Sequence, residues 1–196
     1  MNKRLRLLLA LVLLVGCSSA PVKLENIPLV WKPEKHPTAS AGAASADLFK
    51  AKIKVAPMTD SRKDAALIGE NREKQPVRTV TTSDNVAAFV TNQFKTLLSS
   101  AGMTVVDSGE SVVIKGDVQQ FFVTETDNYV GDVRLGITVT DAAGKSLWQG
   151  STTGSSNRVG SSFRADNYYE SLSDALSVAT SNLLQNQGFQ GAVTHK

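Results

Sequence analysis

Apolar residues alternate with lysines where residues 49–55 begin the first regular segment: Phe49, Ala51, Ile53 and Val55 are interleaved with Lys50, Lys52 and Lys54. A period of two buries one set and wets the other, which predicts a strand ended by Pro57. Residues 58–76 carry no period and many charged side chains, and predict a long loop. Between 84 and 101 the spacing changes to i, i+3, i+4. Val86, Phe89, Val90, Phe94, Leu97, Leu98 and Ala101 then share one stripe of a helix, with Ser83, Asp84 or Asn85 as N-cap and Gly102 as the stop.

The period returns to two beyond this helix. Residues 103–106 predict a short strand. Val112, Ile114, Gly116, Val118 and Phe122 then fall on one parity, and Val133, Leu135, Ile137 and Val139 repeat the pattern after a turn at Asp127-Asn128. A loop at 141–144 leads to a returning strand over 147–153, completing an antiparallel meander. The Gly/Ser run 154–162, with Arg158 in it and Arg164 beyond it, reads as a mobile loop, with an anion site as the weaker alternative. Residues 167–187 form the last helix, with Tyr168, Leu172, Ala175, Leu176, Ala179 and Leu183 on one face, a capping-box spacing from Asn167 to Glu170, and Gly188 as its end. No internal repeat is visible. The fold class that follows is α+β: a two-layer sandwich with a mixed or antiparallel sheet of about five strands and two helices on one face.

A different pattern opens the chain. Lys3, Arg4 and Arg6 precede an uncharged apolar run at 7–15, too short to span a bilayer, which takes about 20 residues. This is the layout of an export signal. The run ends in Leu14-Val15-Gly16-Cys17, which matches the lipobox of bacterial lipoproteins. In such proteins the cysteine thiol takes a diacylglycerol, the signal is cut before it and the new amine is acylated. Residues 1–16 are therefore expected to be the signal, 17–46 a lipidated N-terminus and tether, 47–190 one periplasmic domain and 191–196 a tail. The tether holds four of the chain's six prolines. Its Ile27, Leu29 and Trp31 are expected to dock on the domain as an irregular edge strand, with a partner-binding peptide as the alternative.

Charge changes with this reading. The 21 Lys+Arg of the full chain fall to 18 without Lys3, Arg4 and Arg6, equal to the 18 Asp+Glu. The basic balance belongs to the signal, so it gives no reason to expect nucleic acid. Cys17 is the only cysteine, which excludes an intramolecular disulfide.

Candidate chemistry is sparse. The two histidines, His36 and His195, lie in the tether and at the penultimate position, away from any rigid scaffold. No nucleotide or nucleophile motif and no metal-ligand spacing is present, so neither catalytic residues, metal nor cofactor is expected beyond a covalent lipid on Cys17. Asp117 and Asp132 are expected on the solvated sheet face. Asp60 and Arg62 form either a loop-closing pair or a ligand- or partner-binding patch; turn chemistry favours the first. Phe121 and Val123 share the parity of Lys115 and Asp117. They would sit on the wet face, as a partner contact or beneath the segment containing Trp31.

The lipobox at Cys17, the proline-bearing tether, the strand ending near Pro57, Asp60-Ser61-Arg62, Ile68-Gly69, the helix stopped by Gly102, the meander and the Asn-Tyr-rich final helix together resemble the YajG-type family of bacterial lipoproteins. That resemblance covers nearly the whole chain and implies a location and a fold without an activity. The layout is also similar to small α+β lipoprotein domains that assist envelope machines, by fold analogy alone. Ser18 and Ser19 follow the cysteine in place of the aspartate that retains lipoproteins at the inner membrane. The expectation is a non-catalytic binding or assembly module on the periplasmic face of the outer membrane, with an envelope protein as partner. A carrier or chaperone for a lipid or glycan is the alternative, and a cell-wall enzyme the third reading.

Overall fold

A computed structural model describes residues 23–34 and 48–195. Cys17, and with it the proposed signal and lipidation site, lies outside the described residues.

The sheet is organised around one strand, β6 (Val112–Glu125). On one side it pairs antiparallel with β7 (Asn128–Asp141), which pairs antiparallel with β8 (Ser146–Val159). Along its other side run three short strands in succession. β1 (Lys52–Val55) lies beside Val112–Ile114, β2 (Thr59–Asp60) beside Asp117 and Val118, and β3 (Leu67–Asn71) beside Val123–Glu125. All three are parallel to β6, so residues 52–71 amount to one long strand broken twice. β4 (Arg78–Thr81) pairs antiparallel with β3, and β5 (Thr104–Val105) pairs with β1. The sheet thus has eight strands rather than about five. The extra ones lie mostly in the stretch that the sequence read as a loop, where each segment is too short to show a period.

Three helices, not two, are present among the described residues: α1 (Val86–Ser100), α2 (Ala165–Gln185) and α3 (Gln187–Val193). Asn85 caps α1 by accepting the Ala88 amide at 2.9 Å. The buried stripe of α1 includes Val90, Phe94 and Leu98, and that of α2 includes Tyr168, Leu172, Ala175, Leu176, Ala179 and Leu183. They enclose Ile53, Ile114, Leu135, Ile137 and Val139 from the sheet in one core. α2 starts two residues before the expected capping box; Asn167 instead donates to Ser162 Oγ at 2.9 Å. Asn186 caps a separate α3, in which Gly188 is an interior residue and Phe189 and Val193 are buried. Residues 191–193, read as tail, are the end of this helix.

The contact between α2 and the meander explains the composition of β8. A Cβ on Gly154 would stand 2.1 Å from the Ala175 carbonyl oxygen and 2.2 Å from the Ala179 amide; one on Gly131 would stand 2.6 Å from the Ser171 carbonyl. Neighbouring hydroxyls use the same closeness. Thr152 Oγ1 donates to the Ala179 carbonyl at 2.6 Å and Ser156 Oγ to the Ser171 carbonyl at 2.8 Å. The Gly/Ser run that reads as a loop is therefore strand β8 up to Val159, kept small because a helix backbone rests on it.

β6 changes parity midway. A bulge between Val118 and Gln120 lets an extra residue in. Before it, Ile114 and Val118 face the helices; after it, Phe121 and Val123 do, at 1% and 0% exposure. Phe121 is therefore core, edge-on to Phe89 of α1 at 6.1 Å, and neither a surface contact nor covered by the Trp31 segment. Simple alternation failed here because the insertion flips every later side chain.

Gly154→Ala should lower the unfolding free energy by about 1–3 kcal/mol, since backbone atoms cannot yield to the methyl. Gly191→Ala, in α3 with no atom within 4 Å of the added carbon, should raise it by about 0.5–1 kcal/mol. Urea denaturation of the two variants checks both signs.

Candidate functional site

Asp60 and Arg62 occupy the second break in the strand that runs along β6. Arg62 Nε donates to Asp60 Oδ1 at 2.9 Å and Nη2 to Oδ2 at 2.7 Å, a bidentate fork. The remaining guanidinium hydrogens go to backbone: the Leu67 carbonyl at 2.9 Å, the Ala65 carbonyl at 2.6 Å and, at 3.5 Å, the Phe121 carbonyl beyond the bulge. Only 7% of the Arg62 side chain and 15% of that of Asp60 is exposed. This pair supplies by side chain the hydrogen bonds that the missing strand residues would have made. Its donors are consumed within the loop, which is the geometry of a loop-closing pair.

Asp117 lies at the first break, beyond the three-residue connection from β1 to β2. It accepts Thr59 Oγ1 at 2.7 Å and Ser61 Oγ at 2.6 Å. Partial burial raises its pKa, but hydrogen bonds from Ser61, Thr59 and Gln119 outweigh that and hold the carboxyl below its ordinary value. Asp117 stands opposite Gly136 and Asp132 opposite Phe122, so the two carboxylates do not face each other. Among the described residues, no three His, Cys, Asp or Glu side chains converge as metal ligands.

Trp31 belongs to a strap, residues 23–34, that is tied to the domain along its length. Leu24 bridges Val80 in parallel, and the Thr81 amide donates to the Leu24 carbonyl at 2.9 Å. The Ile27 amide donates to the Thr81 carbonyl at 2.9 Å, that of Leu29 to Asp84 at 2.8 Å, that of Lys32 to Ser173 Oγ at 3.0 Å and that of Glu34 to Asp174 at 3.0 Å. Lys32 Nζ adds ion pairs to Asp166 at 2.9 Å and Glu170 at 3.0 Å. Glu34 meets Arg158 of β8 at 3.1 Å. Ile27, Leu29 and Trp31 face the core, half-buried. The strap is thus docked, as the sequence favoured, across β4, the start of α1 and the outside of α2.

The one charged core residue among those described is Glu125, at the end of β6, and it was missed by the sequence reading. Its fully buried carboxylate accepts the Phe163 amide at 2.8 Å and Tyr168 Oη at 2.7 Å. Burial pushes its pKa up, yet the amide of Asn71, the Tyr168 hydroxyl, the Phe163 N–H and the Tyr129 hydroxyl together hold it below the usual glutamate value. Burial, reinforced by this carboxylate, pushes the Tyr168 hydroxyl far up. Phe163 has a φ of 44°, turning the chain from β8 into α2. Its ring lies under the Arg78 guanidinium at 3.9 Å and edge-on to Tyr168 at 6.4 Å.

Above this corner opens a cleft of about 550 Å³ lined by Leu24, Pro76, Val77 and Phe163, with Lys23, Lys74, Arg78 and Glu25 among its polar residues. Two smaller hollows flank the strand breaks, about 460 Å³ around Asp117 and about 280 Å³ beside Arg62 and Phe122.

The family model described as an uncharacterised lipoprotein, Lipoprotein_16, matches residues 45–193. The chain belongs to this lipoprotein family. Membership implies attachment to a membrane of the cell envelope, and among the described residues no helix is long and apolar enough to cross one. Among curated proteins none matches. Protein XCC0632 from Xanthomonas campestris has the same fold at 13% identity and a TM-score of 0.53, over 72% of this chain and 86% of that one. Weaker likenesses are the PelC dodecamer from Paraburkholderia phytofirmans (13% identity, TM-score 0.44, 74% and 92% covered) and a minor lipoprotein from Acinetobacter baumannii (12%, 0.37, 73% and 90%).

Two expectations follow from the buried charges. Arg62→Lys keeps the charge but loses the fork, and should cost about 2–4 kcal/mol of stability in a urea titration, close to the loss for Arg62→Ala. Glu125 has a folded pKa below its unfolded value near 4.5. It therefore contributes stability above that pH and loses it as pH falls through the folded pKa. Glu125→Gln should be less stable than the wild type at pH 7, and its stability should fall less steeply from pH 5 to pH 3. An unchanged acid slope would mean that other carboxylates carry the dependence.

Proposed function

We propose that this protein is a lipid-anchored, non-catalytic module of the bacterial envelope, related to the YajG-type lipoproteins, held by acylated Cys17 on the periplasmic face of the outer membrane. Its domain would present a rigid surface to an envelope protein partner, with no role for nucleic acid, metal or cofactor. The observation that carries this reading is the fate of the buried ionisable groups. Arg62 and Glu125 have environments that in an enzyme could tune a reacting group. Both are engaged by structural donors and acceptors of the fold itself, which suits a scaffold whose purpose is shape. Anchoring would raise the effective concentration of that surface near its partner without a tight site.

A lipid or glycan carrier is the second reading, and the cleft beside Phe163 is the observation in its favour. The layer between helices and sheet offers no groove, because Phe94, Leu98, Leu135 and Leu176 close it at 0% exposure. The cleft at Phe163, larger than the two hollows at the strand breaks, is where a carried ligand would lie.

Mass spectrometry of the protein purified from membranes should find residues 1–16 absent and a diacylglyceryl and N-acyl adduct on Cys17. The Cys17→Ser variant should fold and leave the membrane fraction or stay unprocessed. Normal anchoring of that variant would contradict the proposal.

A further inference from the structure

The strap turns a long tether into a short leash with a direction. Only residues 18–22 separate Cys17 from Lys23, the neighbour of the Leu24 that bridges Val80. Fully extended, that distance is at most about 20 Å. Leu24 bridges Val80 in parallel, and β4 runs away from the turn that joins it to β3. The strap therefore enters from the pole of the sheet that carries residues 72–77, the β6–β7 turn, the end of β8 and Phe163.

Register measures how far each pole is from the anchor. Leu24 lies level with Val80, which is paired to Gly69 and through it to Val123. Two residues along β6, about 7 Å, lead from Val123 to Glu125 at the near pole. Eleven residues, about 36 Å, lead back to Val112 and the far turn at 141–145. A 20 Å leash reaches past the near pole and falls short of the far one.

The near pole also leaves apolar groups bare. Of the four exposed large hydrophobics among the described residues, Val77 at 40% and Val159 at 87% lie at this end, while Val30 lies on the strap and Val178 on the outside of α2. Val77 edges the 550 Å³ cleft with Pro76, Leu24 and Phe163, and Lys23, Lys74 and Arg78 line it against the single carboxylate Glu25. Glu73 and Asp127 are also exposed on this pole, but around the cleft itself apolar tips among cations suit a surface whose outer layer is phosphate and whose next layer is acyl chain.

We infer that the pole formed by residues 72–77, Val159 and Phe163 rests on the phospholipid surface into which the acylated N-terminus inserts, and that the 141–145 turn points away from it. The inference rests on the proposed acylation of Cys17. With that thiol blocked, a single new cysteine labels selectively. Val77→Cys, Val159→Cys and, at the exposed far turn, Ala143→Cys carry an environment-sensitive fluorophore on the mature lipidated protein. Each is reconstituted in vesicles of phosphatidylethanolamine and phosphatidylglycerol, with and without brominated acyl chains. Emission at 77 and 159 should shift to the blue and be quenched by the brominated lipid, with no change at 143. Equal quenching at both poles, or none at 77 and 159 while Cys17 carries its lipid, overturns this orientation and leaves the anchor intact. A blue shift at 77 without quenching means that protein, such as a second copy, covers the pole, and also overturns it. An unmodified Cys17 in the mass spectrum removes the anchor reading and this one together.

Discussion

The close approach of α2 to β7 and β8 is the constraint on which the rest of the molecule depends. Gly131 and Gly154 let the helix backbone reach the strands, and Thr152 and Ser156 bond its carbonyls. Large side chains at these points would lift the helix and open the core. With the helix seated, its outer face holds Asp166, Glu170, Ser173 and Asp174 where the strap needs them. Its first turn holds Tyr168 over Glu125, which in turn holds Phe163 and the corner beside the cleft. Strap, corner and cleft are consequences of one helix-to-sheet distance.

The buried charges serve the same geometry. An unpaired carboxylate or guanidinium in such surroundings would cost several kcal/mol. Arg62 instead replaces the backbone bonds missing where the strand beside β6 breaks, and Glu125 gathers donors from three chain segments that end at one pole. Both groups are committed to neighbours within the fold. Each specifies where segments separated in sequence must meet.

Long elements with steady periods were legible in the sequence. The stripes of α1 and α2 and the paired strands β6 and β7 are where alternation placed them. Three features were not, each for a physical reason. β2 and β3 are too short to show a period, and their partners are remote residues of β6. The bulge after Val118 inverts the parity of Phe121 without leaving a local signal. β8 carries glycine and serine because a helix lies on it, and the same residues in isolation indicate a loop. The docking of Ile27, Leu29 and Trp31 could be read from their apolar character; the polar anchors on α2 that fix the strap's path could not.

The account turns on the strap being part of the folded domain, because a free strap would make the anchor a long tether without orientation. Amide hydrogen exchange of the intact chain measures this directly. The N–H groups of Ile27, Leu29, Lys32 and Glu34 should exchange far more slowly than an unstructured peptide and in step with the amides of β4, α1 and α2, across which the strap lies. Exchange of all four at free-chain rates, with β4 still protected, would contradict it.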